Sequence, residues 1–246
     1  MKNQNQSPIP AVLRYRLPED QLAADALVTY ESRGCVLVVG QDRRAVELGR
    51  VLNKQKLDVV VLITDLSLTF PTPEGIVCLQ GKLLSLSGFL GQFEVRIQGK
   101  QGPLNPALLC PERRERFDII LDLAEQPYLS LQVTPLGYYA PGSDRDALQR
   151  AMIGLSALVG VFQKPRFFKY QASLCAHQRY GIKGCRACLD VCPAGAISSD
   201  NDRIVVDPYL CQGRGTCMLT CPSGALSPNP ELPPTPLQRL RVVLKD

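Results

Sequence analysis

Seven of the ten cysteines in this 246-residue chain crowd into one stretch: Cys175, Cys185, Cys188, Cys192, Cys211, Cys217 and Cys221. Thiolates are soft metal ligands and the reactive form in redox exchange. Such a density therefore points to metal or redox chemistry. Met1–Pro10 is polar and lacks the apolar core of a secretory signal, so the expected compartment is the reducing cytoplasm, where structural disulfides are not expected. The other three cysteines, Cys35, Cys78 and Cys110, lie scattered among apolar residues and read as small buried hydrophobes. The alternative is that one of them reaches across to complete a metal site.

The clustered cysteines belong to an internal repeat with an offset of 29 residues. Cys185-Arg-Ala-Cys188-Leu-Asp-Val-Cys192-Pro-Ala-Gly-Ala-Ile197 aligns with Arg214-Gly-Thr-Cys217-Met-Leu-Thr-Cys221-Pro-Ser-Gly-Ala-Leu226. Each copy is too small for a core of its own, so the two are expected to form a pseudo-twofold mini-domain around whatever the sulfurs hold. The spacing suits an iron–sulfide cube. A C-x2-C-x2-C loop wraps the backbone round it, and the Cys of the following C-P leaves toward a second cluster. Pro fixes the turn after that Cys, and Gly keeps the backbone close to the inorganic core. Structural zinc favours two C-x2-C knuckles closing a four-ligand set, whereas this stretch has one C-x2-C and two C-x3-C-P units.

On these motifs, residues 174–227 resemble the bacterial two-cluster ferredoxins. The resemblance implies that cluster one uses Cys185, Cys188 and Cys221, and cluster two uses Cys211, Cys217 and Cys192. Two positions depart from the pattern. The first ligand of the first motif falls at Ile182, and Cys175, brought back by a loop through Gly181 and Gly184, is taken in its place as the fourth ligand of cluster one. Arg214 stands where the second motif should have a Cys, so seven thiolates serve two clusters that need eight. Cluster one is then a [4Fe-4S] cluster. Cluster two is either [3Fe-4S] or a [4Fe-4S] with a ligand other than Cys. A wider set of residues resembles the 4Fe-4S proteins associated with bacterial formate dehydrogenases: Lys164-Pro-Arg-Phe-Phe-Lys-Tyr170, Cys175-Ala-His177, Gly184–Pro193 and Gly88-Phe-Leu-Gly91-Gln-Phe-Glu-Val95. That likeness implies a redox-partner role.

The residues before the cysteines must supply a scaffold. Cys35–Gly40 and Asp58–Ile63 are short continuous apolar runs, as expected of strands buried on both faces. Between them, Asp42 can cap a helix to about Lys54 with Ala45, Leu48, Gly49 and Leu52 inward. Strands near Leu83–Leu86 and Gln92–Ile97 flank Gly88-Phe-Leu-Gly91 as a hairpin. Phe117–Leu123 is a further strand, Pro127–Pro141 a loop, and Ser143 opens a helix with Leu148, Met152, Leu155 and Val159 inward. The expected fold is α+β overall: a Rossmann-like N-terminal α/β domain followed by a small ferredoxin-like two-cluster domain. The domains are a lead-in at 1–34, an α/β scaffold or docking domain at 35–165, the ferredoxin-type domain at 166–227, and a proline-rich linker with a short tail at 228–246.

Other chemistry finds little support. The net charge of +5 comes with no basic tract for nucleic acid, and the longest apolar run, Ala151–Phe162, is too short to span a bilayer. With His177 as the only histidine no Ser/His/Asp set is found, and no paired-carboxylate motif stands out; the expected place of His177 is a hydrogen bond beside a cluster, the alternative being an iron ligand. Gly40-Gln-Asp-Arg-Arg-Ala45 lacks two glycines of a dinucleotide fingerprint and reads as an ordinary β-α turn. The expected protein relays single electrons to or from a partner oxidoreductase, with a formate dehydrogenase as one candidate. It has no nucleic-acid partner, no membrane span and no small-molecule substrate. Two alternatives remain: an accessory, assembly or redox-sensing protein with structural clusters, and a small flavin- or nicotinamide-linked reductase.

Overall fold

A computed structural model describes residues 26–68, 75–100, 102–111, 114–177, 184–201 and 203–230. Most of the lead-in and nearly all of the proline-rich linker and tail lie outside these residues. The chain divides into two compact units, one built from Tyr30–Phe162 and the other from the residues after Phe162 together with 26–29.

Strand β1 (Leu27–Ser32) precedes β2 (Cys35–Gly40), α1 (Arg43–Lys54) and β3 (Asp58–Ile63). Every residue of β2 is buried, as its unbroken apolar run requires. Helix α1 starts where the Asp42 carboxylate accepts from the Arg44 amide, satisfying a donor that the helix itself cannot. Its inner face is Ala45, Val46, Gly49 and Leu52; Val46 takes the buried place expected of Leu48, which is only half-buried. Gly49 is required here, since a Cβ would lie 2.7 Å from a methyl of Val61.

Strands β4 (Val77–Gln80), β5 (Lys82–Ser87), β6 (Glu94–Gly99) and β7 (Gly102–Leu104) follow, then β8 (Ile119–Asp122) and β9 (Tyr138–Tyr139). The main sheet has the order β4-β3-β2-β8-β9 with every pair parallel. The order reverses at β2, which joins the two halves. Strands β5, β6 and β7 form a separate antiparallel sheet. The Gly88–Gly91 turn between β5 and β6 fits the expected hairpin. At Gly91 (φ +82°) a side chain would run into the Glu31 carbonyl, 2.0 Å from a Cβ, so the turn admits only glycine. Leu37, Val39, Leu62, Phe93, Phe117 and Ile120 fill the core between these elements.

Three expectations are corrected in this unit. The 127–141 loop is interrupted by β9, which adds a fifth strand by pairing Tyr138 with Ile120. Helix α2 (Arg145–Ser156) is capped by Asp144 rather than Ser143, and it ends before Val159, which is 46% exposed. Cys35 and Cys110 are not isolated buried thiols: the structure joins them as a disulfide across 75 residues of sequence, inside the core. Cys78, on β4, is a half-buried free thiol that burial pushes up.

Strand β10 (Gly160–Pro165) leads into the second unit. There follow β11 (Phe168–Tyr170), α3 (Ala187–Val191), β12 (Ile197–Asp200), β13 (Arg203–Val206), α4 (Thr216–Thr220) and β14 (Leu226–Pro228). Strand β11, before the first cysteine motif, pairs with β14, after the second; β12 and β13 pair in the complementary way. The repeat is therefore interlaced. The protein is thus a mixed α/β molecule with a parallel sheet and a C-terminal cysteine-rich region.

Candidate metal centre

The two halves of the cysteine-rich unit superpose in sequence on the same local devices. Helices α3 and α4 begin 29 residues apart, as do β12 and β14. After each C-P, a chain reversal closes with an amide on the cysteine's own carbonyl: Gly195 to Cys192 at 3.2 Å and Gly224 to Cys221 at 3.4 Å. Both glycines have positive φ, +59° and +67°. Pro second and Gly fourth is the composition such a turn favours. The turn swings the next amide onto sulfur, with Ala196 N–H donating to Cys192 Sγ at 3.3 Å. In the second half, burial alone would raise the Cys221 thiol. Amides of Leu226, Ser223 and Ala225 and the Ser223 hydroxyl outweigh it, and Cys221 is lowered.

Four thiols line one apolar cavity: Cys175, Cys185, Cys188 and Cys221, with Ala187, Ile204, Ala225 and Leu226 around them. These are the four expected for cluster one. Burial first, then the like charges of Cys175, Cys185 and Cys221, push the Cys188 thiol up to about 11. Four thiolates held together in an apolar shell are costly unless a cationic centre shares their charge, which suits the group to its donors. The route by which Cys175 arrives is visible at both ends of its loop. It stands five residues after the end of β11, as Cys211 stands five residues after the end of β13, so the two are structural equivalents. Gly184 closes the return, because a Cβ there would be 2.5 Å from the Ala176 carbonyl. Ile182 and Gly181 lie outside the described residues.

Cys192, Cys211 and Cys217 form the second group. Burial raises Cys217, and the charges of Cys211 and Cys192 add to it. Burial also raises Cys211, with Cys192 contributing and the Lys164 ammonium opposing. Arg214, at the position matching Cys185, is exposed. Among the described residues no three His, Cys, Asp or Glu side chains converge tightly enough for a single metal ion. A cube with metal at several corners needs its thiolates further apart than one ion does.

The surroundings of the two groups differ. His177, buried, meets the Cys185 carbonyl through Nδ1 and Ser199 Oγ through Nε2, both at 2.9 Å. That agrees with the hydrogen-bonding place expected of it. The corresponding loop at Cys211 is held by Lys164, which is fully buried and donates from Nζ to the carbonyls of Cys211 at 2.6 Å and Tyr209 at 2.8 Å. Burial brings this lysine down to about 8, against the pull of Cys211 and Asp207. Sequence reasoning missed it: a lone Lys before a Pro gives no sign that its head turns inward.

Residues 183–225 match the family of 4Fe-4S dicluster domains. The chain carries a 4Fe-4S ferredoxin-type domain. It binds iron–sulfur and at least one [4Fe-4S] cluster, and the domain is of the electron-transfer kind. The match begins after Cys175, so that residue's place rests on the cavity and on its equivalence to Cys211. No curated protein matches the chain. Among solved structures, a ferredoxin-flavin thioredoxin reductase from Clostridium acetobutylicum aligns at 14% identity and a TM-score of 0.27, over 52% of this chain and 47% of that one. This chain thus spans about half of that protein, and the likeness is too slight to inform fold or function. Among the described residues no helix is long and apolar enough to cross a membrane.

Proposed function

We propose that the protein relays single electrons through two clusters to or from a partner oxidoreductase. The carrying observation is the four-thiol cavity, in which Cys221 from the second repeat joins Cys175, Cys185 and Cys188 from the first. On this reading Cys192, Cys211 and Cys217 hold cluster two, as [3Fe-4S] or as a [4Fe-4S] with a ligand other than Cys. The clusters supply the one-electron chemistry; the chain's residues set their solvent exclusion, hydrogen bonding and local charge. The stretch from Lys164 to Tyr170 that resembles formate dehydrogenase-associated proteins makes a cytoplasmic formate dehydrogenase the partner to test first.

The first unit serves as scaffold or docking domain, Rossmann-like in its strand order. Ligands of such sheets sit where the strand order reverses. Here a Cβ on Gly40 would lie 2.6 Å from that of Ala45, and Asp122 at the end of β8 accepts from the Ala124 and Tyr128 amides and the Tyr138 hydroxyl. Asp122 is thus engaged by the chain's own donors, which favours a scaffold over a nucleotide site. Anaerobic purification with iron and sulfide counting and EPR in both redox states tests the proposal. About seven or eight irons per chain support it; colourless protein with zinc alone or no metal overturns it. A three-iron signal in the oxidised sample identifies cluster two.

A further inference from the structure

The repeat makes the two cluster loops alike, yet the residues that brace them carry different charge chemistry. The loop at Cys185 is held by an imidazole whose Nδ1–H donates to the Cys185 carbonyl and whose Nε2 meets the Ser199 hydroxyl. The loop at Cys211 is held by the head of Lys164, a residue from outside the repeat with no exposed surface. A unit charge in dry surroundings acts far more strongly than one in water. Arg214, three residues after Cys211, carries the same sign but is exposed, so solvent screens it.

We propose that Lys164 sets cluster two above cluster one in reduction potential, so that an electron entering at cluster one comes to rest on cluster two. Two clusters, as proposed above, are the premise. Reduction adds one negative charge to a cluster, and a fixed cation stabilises the reduced form more than the oxidised form. The transfer itself makes and breaks no bond: one electron leaves cluster one, cluster two gains it, and the redox partners supply and remove it. Lys164 touches the carbonyls of Cys211 and Tyr209, so it acts as a positioning residue and as a source of field.

The test is an EPR-monitored redox titration of the full chain as wild type, Lys164→Gln and Lys164→Arg. Gln keeps a hydrogen-bond donor without the charge; Arg keeps the charge. In Lys164→Gln the higher-potential couple should weaken at least tenfold in its reduction equilibrium, a drop of about 59 mV for one electron. The lower-potential couple should move less, and Lys164→Arg should stay within about threefold of wild type. Unmoved couples in Lys164→Gln, a larger shift of the lower one, or an equal drop in Lys164→Arg each overturn the proposal. Should Lys164→Gln not load cluster two, the wild type decides, because two couples closer than tenfold are incompatible with the ordering. Iron-free wild type would instead overturn the two-cluster premise.

Discussion

The two units of this chain reach order by different means. In the parallel sheet, β2 and β3 are buried on both faces and the core is mostly Leu, Ile, Val and Phe, with the Cys35–Cys110 disulfide among them. In the cysteine-rich unit, α3 and α4 are five residues each, far short of what a free helix needs. The buried cluster there holds only Phe168, Ile197, Ile204 and Leu226 as large apolar groups, with Ala225, Cys175 and Cys188, and four more cysteines packed against it. One unit is stabilised by apolar surface; the other leans on what its sulfurs hold. Sequence can announce both, but through different signals: apolar runs in the first case and ligand spacing in the second.

The sharpest way to break the comparison is to remove a ligand. If Cys217 holds the second cluster proposed above, Cys217→Ser should abolish that cluster, cut iron content by about half and loosen the second unit, while the circular dichroism of the first unit persists. Joint unfolding of both units would show that they are not separately stabilised. Next in size, Leu37→Ala should cost about 3 kcal/mol in denaturant unfolding of the sheet, since Leu37 is wholly buried, with the cluster absorbance unchanged. Asp144→Ala removes the carboxylate that accepts from the Asp146 and Ala147 amides and should cost about 1 kcal/mol.

The smallest effect concerns Tyr139, whose buried hydroxyl has no hydrogen-bond partner among the described residues and whose ionisation burial raises to about 12. The folded state favours the neutral phenol, so this contribution is complete below pH 10 and lost as pH rises from 10 to about 12. Tyr139→Phe should flatten part of that alkaline loss and leave neutral stability within about 1 kcal/mol of wild type, by pH-dependent denaturation.

Much of this was legible in the sequence for identifiable reasons. Strands β2 and β3 were bounded by their apolar runs, α1 by Asp42, and the turn after β5 by two glycines. The repeat placed its cysteines because ligand spacing is a local property. What escaped depends on distant contacts. Strand β9 is two tyrosines long and exists through its pairing with β8. The joining of Cys35 and Cys110 spans 75 residues. Val159 follows the helical period of α2, yet the helix has already ended at Ser156. Lys164 is the strongest case, because its meaning lies in where its amine comes to rest.

The interlacing of the repeat carries a further consequence. Each half lends a strand to the other and a C-P cysteine to the other's group of thiols. Neither half closes its group of thiols without the other. Deleting either half would strip a strand and a thiol from the other, so both groups of sulfurs would come apart together.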